Sequence, residues 1–251
     1  MKAELITHMG DDLLVVNAAR VSFDKESSFQ YIGKDCLGNE MEVPKEKLLD
    51  HDGELLRKSI KEQDKKLLNY LAKHNHWTPF SHPQICMRET VPIFVARQRF
   101  KHMVGFTYNE VSRRYVDDEP EFYTPNTWRS RPEGSVKQGS GGELSKNQGF
   151  GGSLGSPYEM AAYAYQHAVN TCAQSYDNLL KVGVAPEQAR MVLPQSMYTS
   201  YYVTGSLAAW ARAYKQRIES HAQMEIQELA KQWDSILSSL FPESWAVLTE
   251  G

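Results

Sequence analysis

Residues 97–115, RQRFKHMVGFTYNEVSRRY, gather Arg97, Arg99, Lys101, His102, Arg113 and Arg114 with Glu110 and Ser112 in one short stretch. Guanidinium groups suit phosphate, because each can donate two parallel hydrogen bonds to two of its oxygens. The Ser112 hydroxyl and backbone N–H groups can complete such a cradle. Phe106, Tyr108 and Tyr115 interleave with the charges, so a strip for single-stranded nucleic acid is also readable here. A solvated basic helix followed by a loop is the plain alternative, and composition alone does not separate the three.

Two further clusters carry chemistry-capable side chains. In Arg217 to Gln227, RIESHAQMEIQ, the residues Arg217, His221 and Glu225 fall at steps of four, which puts them on one face of a helix. By pattern alone an ion-pair ladder is the favoured reading. His74, His76 and His82 lie within nine residues, but their spacing matches no common zinc motif, and no metal is expected. A polar turn lining a planar ligand fits them better. Cys36, Cys86 and Cys172 are widely spaced, with no Cys-x-x-Cys pair. Cys36 reads as part of a polar loop, Cys86 of a strand and Cys172 of a helix. None has an adjacent cation arranged to make a reactive thiolate.

The formal net charge is -3, so no global positive field advertises nucleic acid, and an anionic ligand must be held by a local cluster. There is no basic start followed by an apolar run, and no apolar stretch long enough to span a bilayer. The expectation is a cytoplasmic protein. A length of 251 residues suits one domain, 1–251, with insertions near 26–60 and 129–156.

The elements that must position these groups read as an α+β fold, mixed α/β, with a small sheet and several long helices. Residues 12–18 look like a short strand and residues 26–60 like a surface excursion with little regular structure. Leu67, Leu68 and Leu71 mark a helix over 64–74, with Asp64 as its cap. Residues 84–90 read as a strand, followed by a helix capped by Thr90 and running to about His102. Residues 129–156 are rich in Gly and Ser and read as a mobile loop that can be shortened. Ser156-Pro157-Tyr158-Glu159 is a capping box that starts a long helix ending near Lys181, with Gly183 as its stop. A short helix over 187–193, a strand over 197–204, a helix from Gly205-Ser206 and a last helix over 220–240 complete the pattern.

Five blocks together resemble the flavin-dependent thymidylate synthases. They are AARVSFDK (18–25), HNHWTPFSH (74–82), PIFVARQRFKHMVGFTYNEVSRRY (92–115), QARMVLP (188–194) and TGSLAAWARAYKQRIESHAQMEIQ (204–227), in the family's order. The resemblance implies reductive methylation of dUMP to dTMP, with 5,10-methylenetetrahydrofolate as carbon donor, FAD as cofactor and NADPH as reductant. It implies a homotetramer whose active sites are shared between subunits. By the same resemblance Gln98, Arg99, Phe100, Lys101, Glu110, Ser112, Arg114 and Arg190 contact dUMP. Arg217 sits on the uracil edge as the catalytic group. Thr78, Lys101, His102, Met103, Glu110, Ser206, Arg212 and His221 contact FAD.

The family signature is Arg-His-Arg, seven residues, then Ser. Here Lys101-His102-Met103 stands in its place and eight residues precede Ser112. The extra residue is expected to be absorbed between Met103 and Tyr108, with Gly105 at the turn, because glycine tolerates backbone angles that other residues resist. The physical reading agrees with the family one. Making uracil nucleophilic without an enzyme thiolate needs a fixed cation beside the ring, and the redox chemistry then belongs to the flavin. The alternatives are a related flavin- and folate-dependent enzyme that methylates another uracil-containing substrate, and a single-stranded nucleic-acid binder.

Overall fold

The computed structural model describes residues 1–34, 39–44, 57–115, 118–132, 139–146 and 155–250. The architecture is α+β. Strands β1 (Lys2–Met9), β5 (Gln84–Pro92), β7 (Tyr198–Ser206) and β6 (Phe106–Glu110) form a four-stranded sheet in the order β1-β5-β7-β6. Strands β2 (Gln30–Lys34), β3 (Glu40–Val43) and β4 (Arg57–Ser59) form a second sheet, order β3-β2-β4. The chain divides into two compact units, one of Met1–Glu4, Met87–Val203 and Gln216–Gln232, the other of Leu5–Cys86, Thr204–Lys215 and Trp233–Gly251.

The second unit holds α1 (Asp12–Arg20), α2 (Glu62–Lys73), α8 (Pro242–Thr249), most of α6 (Leu207–Ile218) and the end of α7 (Met224–Leu240). Trp210 and Trp233 are fully buried and meet edge to face at 5.5 Å. Such a pair adds to the apolar area both rings remove from water. The strand read over 12–18 is instead helix α1. The Asp11 carboxylate accepts from Leu13 N and Leu14 N and so satisfies two orphan donors of a first turn. Asp12, Val15 and Val16 are buried, at helical spacing. A short β-branched run could not distinguish strand from helix, and the cap decided it.

The excursion over 26–60 also carries more structure than its composition indicates. Strand β2 pairs antiparallel with β3, Tyr31 opposite Val43, and with β4, Tyr31 opposite Lys58. Helix α2 begins at Glu62 with Lys61 as its cap, so Asp64 does not cap it. Asp64 is fully buried and accepts from Arg20 Nε at 3.0 Å and Ser27 Oγ at 2.5 Å. A buried carboxylate needs such partners. Asp12 is likewise recruited: it accepts from Glu243 N at 3.1 Å and Ser244 N at 2.8 Å at the start of α8, a helix the sequence reading left out. Burial raises its pKa, opposed by those bonds.

The first unit holds α3 (Ile93–Arg99), α4 (Pro157–Lys181), α5 (Pro186–Ala189), the start of α7 and the sheet residues 87–92, 106–110 and 198–203. Strand β5 alternates: Met87, Glu89 and Val91 are buried, Arg88 is exposed. Helix α3 ends at Arg99 rather than His102, and Pro92 occupies its cap position, with no side-chain bond from Thr90. The Thr90 hydroxyl bonds Ser200 instead.

Helix α4 starts as its capping box requires. Ser156 Oγ accepts from Glu159 N at 3.3 Å, and Glu159 accepts from Ser156 N at 2.8 Å. The helix stops before Gly183, whose φ is +89°. The Ser156 backbone N–H, then its hydroxyl, hold Glu159 below the usual carboxylate pKa. A depressed carboxylate contributes stability that is present above its unfolded pKa and lost as pH falls through the lower folded value. Ser156→Ala is expected to cost about 1 kcal/mol, read as a lower urea midpoint with unchanged slope. Part of the loop over 129–156 is ordered by pairing: Ser130 N donates to Gly142 O at 2.7 Å and Leu144 N to Trp128 O at 2.7 Å. Cys86 and Cys172 are half-buried free thiols, and Cys36 lies outside the described residues.

Candidate active site

The first unit brings the sequence candidates together in two groups. One surrounds the end of α3. Arg217, near the end of α6, donates from Nε to His102 Nε2 at 2.8 Å and from Nη2 to Gln98 O at 3.0 Å. Gln98 Nε2 donates to Gln223 Oε1 at 2.6 Å. Arg217 is half-buried, and desolvation, then the charge of Arg99, lowers its pKa. A guanidinium is basic enough to remain a cation despite that shift, and partial burial leaves its charge less shielded by water than that of a surface arginine.

Arg99 and Phe100 sit in the same group but deeper. Arg99 is fully buried, with Nε 3.3 Å from the Glu89 carboxylate and Nη1 2.6 Å from the Tyr108 hydroxyl. Its guanidinium lies 4.3 Å over the Phe106 ring. Phe100 meets Tyr108 and Tyr201 edge to face. Lys101 and Met103 are exposed, and Met103, a thioether, has no donor to offer a phosphate. The chain then turns: Phe106 N donates to Met103 O at 3.1 Å, and Gly105 takes φ +80°. That is the turn glycine expected between Met103 and Tyr108, and β6 follows it directly.

The other group lines an open cleft of about 930 Å³ that includes Arg88, Glu110, Ser112, Glu187, Arg190 and Thr199. Thr199 donates to Glu110 at 2.7 Å, and the Ser112 hydroxyl accepts from Arg114 N at 3.3 Å. Arg114 pairs with Glu187 at 3.3 Å, and Arg190 Nε donates to Glu187 O at 3.3 Å. Arg114 and Arg190 are exposed. The cleft thus offers guanidinium and hydroxyl donors beside carboxylate acceptors, the mixture a nucleotide phosphate and sugar require.

In the second unit Thr78 and Arg212 are exposed. Ser206 is buried, and its hydroxyl accepts from Ala209 N at 3.3 Å at the start of α6. His74 and His76 stand against the Tyr70 ring. The face shared by Arg217, His221 and Glu225 does not form, because α6 ends at Ile218 and α7 begins at Met224. His221 lies exposed in the break between them, and buried Glu225 takes two bonds from Arg129 at 2.7 and 2.9 Å. The sequence reading missed Glu89 and Tyr201. A carboxylate at the inward register of β5, between Met87 and Val91, was the signal that a buried partner must exist.

Residues 4–243 match the thymidylate synthase complementing protein family. The chain is 34% identical over 227 residues to a flavin-dependent thymidylate synthase from Thermotoga neapolitana, covering 90% of this chain and 81% of that one. It is 32% identical over 246 residues to one from Thermus thermophilus, covering 98% and 74%. In structure it resembles the UMP/dUMP methylase PolB of Streptomyces cacaoi bound with 5-Br dUMP, at TM-score 0.74 and 27% identity over 99% of this chain and 94% of that one. PolB bound with 5-Br UMP gives TM-score 0.74 at 25% identity, covering 99% and 93%. The cationic cluster at the end of α3 and the cleft beside β6 therefore sit in a chain that belongs to the thymidylate synthase complementing protein family, the family of the flavin-dependent thymidylate synthases.

Proposed function

We propose that the protein is a flavin-dependent thymidylate synthase that methylates dUMP to dTMP, taking the carbon from 5,10-methylenetetrahydrofolate and its reducing equivalents from NADPH through FAD. The observation that carries this reading is the half-buried Arg217, held on His102 and the Gln98 carbonyl. A cation fixed in two directions can face a uracil edge without reorganising as negative charge develops on the ring. Glu110, Ser112 and Arg190, which line the cleft, and Arg114, which pairs with Glu187 of its wall, are the groups that would orient the nucleotide, the arginines and serine toward its phosphate. Gln98, Phe100 and Lys101, with the buried Arg99 carried on the family resemblance, complete the proposed dUMP set from the end of α3.

The donor set fits a flavin dinucleotide. Exposed Lys101 and half-buried His102 are cationic and imidazole donors of the kind its pyrophosphate and ring edge take. Thr78, Met103, Glu110, Ser206, Arg212 and His221 are carried as further flavin contacts on the family resemblance. When bound, the flavin supplies the hydride chemistry. The side chains of this chain bind, orient and stabilise charge. Exposed Met103, Val104, Val111, Tyr115 and Met191 flank the candidate residues and present apolar surface that subunit contacts would cover. This supports association between subunits, and the homotetramer is carried on the family resemblance.

The test is an anaerobic assay for dTMP from dUMP, methylenetetrahydrofolate and NADPH, with the flavin spectrum recorded on the purified protein. Absence of both bound flavin and product rejects the proposal. PolB with 5-Br UMP favours a second reading, a ribonucleotide substrate, so UMP is assayed in parallel. Replacing Cys36, Cys86 and Cys172 together with Ser or Ala is expected to leave kcat largely unchanged. A folded, ligand-binding but inactive triple variant would restore a thiolate mechanism.

A further inference from the structure

We propose that Tyr108 is a positioning residue that ties the buried Glu89–Arg99 pair to His102, and through His102 fixes the orientation of Arg217. The inference rests on the function proposed above for Arg217, and its geometry is independent of it. The Tyr108 hydroxyl accepts from Arg99 Nη1 at 2.6 Å and lies 2.6 Å from the His102 carbonyl oxygen, to which it donates. Arg99 is itself anchored: its Nε faces Glu89 at 3.3 Å, and Glu89 accepts from Tyr201 at 2.6 Å. Glu89 and Arg99 are both fully buried. An unbroken series of bonds thus runs from the core to the His102 carbonyl, just past the end of α3, where the His102 N–H also turns back to Arg99 O at 3.1 Å.

The consequence appears at the His102 ring. Its Nε2 accepts from Arg217 Nε at 2.8 Å, which requires that nitrogen to be unprotonated and places the ring proton on Nδ1. Losing the bond to its carbonyl would loosen the His102 backbone and let the ring shift, which would weaken one of the two directions that fix Arg217. Burial pushes the Tyr108 phenol up to about 12, with Arg99 opposing and Glu89 reinforcing the shift. The hydroxyl therefore keeps its proton, and its donor role, throughout any working pH.

The experiment compares Tyr108→Phe with Tyr201→Phe. Each removes one hydroxyl from the same aromatic cluster, but only the first touches His102. Nitrogen-15 NMR of the His102 ring in the ligand-free protein is one readout. The kcat and KM for dUMP of the flavin-loaded protein are the other. Tyr108→Phe is expected to replace the single Nδ1–H tautomer with a mixture. It should lower kcat about 10–100-fold with KM little changed, since small misplacement of a catalytic group costs on that order. Tyr201→Phe is expected to keep both signatures while losing stability. Equal behaviour of the two variants, or an undisturbed His102 ring in Tyr108→Phe, overturns the proposal. Tyr108→Met, which also removes the hydroxyl while filling the space, takes its place should the phenylalanine variant not fold. If the wild type binds no flavin and forms no dTMP, the enzyme reading fails, and the NMR arm still decides whether Tyr108 holds His102.

Discussion

Arg217→Ala is expected to lower dTMP formation about 10²–10³-fold, the usual cost of losing one preorganised charge donor. The effect should fall on kcat more than on the affinity for dUMP, because the charge Arg217 faces grows as the uracil ring becomes nucleophilic. The fold should survive. Arg217 is half-buried and bonds only the His102 ring and the Gln98 carbonyl among the contacts described above. Arg217→Lys is expected to fall between wild type and alanine. An ammonium keeps the charge, but it lacks the planar fork that reaches two acceptors in fixed directions. Circular dichroism and flavin absorbance check folding and cofactor loading, and single-turnover kinetics reads the chemical step. Near-normal turnover of the alanine variant at saturating dUMP would remove Arg217 from the catalytic role.

The sequence was legible where local signals are complete. Ser156 to Glu159 carry every part of a capping box, and α4 begins there. Gly183 and Gly105 stand where the chain needs positive φ. It was less legible where a side chain serves a distant partner. Asp64 has the residue type and place of a helix cap, yet it is buried under Arg20 and Ser27, contacts 44 and 37 residues away in sequence. Asp12 serves α8 across 232 residues. The face proposed for Arg217, His221 and Glu225 assumed one continuous helix. The break at 219–223 sends Arg217 to His102 and Glu225 to Arg129. Residue types and spacing placed Arg217 and Glu110 in polar clusters, and the family resemblance gave them their expected roles, but neither could assign partners. Partner choice is a tertiary property that periodicity does not encode.

Arg99 shows most sharply what a side chain's surroundings add. The family resemblance gives it to dUMP, whereas here the whole side chain is enclosed, its Nε on Glu89, its Nη1 on Tyr108 and its plane over Phe106. Arg99→Ala is expected to destabilise the protein by about 3–5 kcal/mol, because one partner of a fully buried pair is removed and the other stays behind. Glu89 would keep the Tyr201 hydroxyl as a donor but would lose its counter-charge. Removing both charges should be far milder. Glu89→Leu with Arg99→Met, combined with Tyr201→Phe so that no hydroxyl is stranded, is expected to recover most of the loss, since apolar side chains of similar volume commonly replace buried pairs at little cost. Urea unfolding of the wild type, the single variant and the triple variant reads this directly, with equal slopes required for the comparison. If Arg99 served chiefly as a nucleotide contact, Arg99→Ala would unfold at the wild-type midpoint and lose dUMP affinity instead. That result would show that the guanidinium leaves the core to meet its ligand.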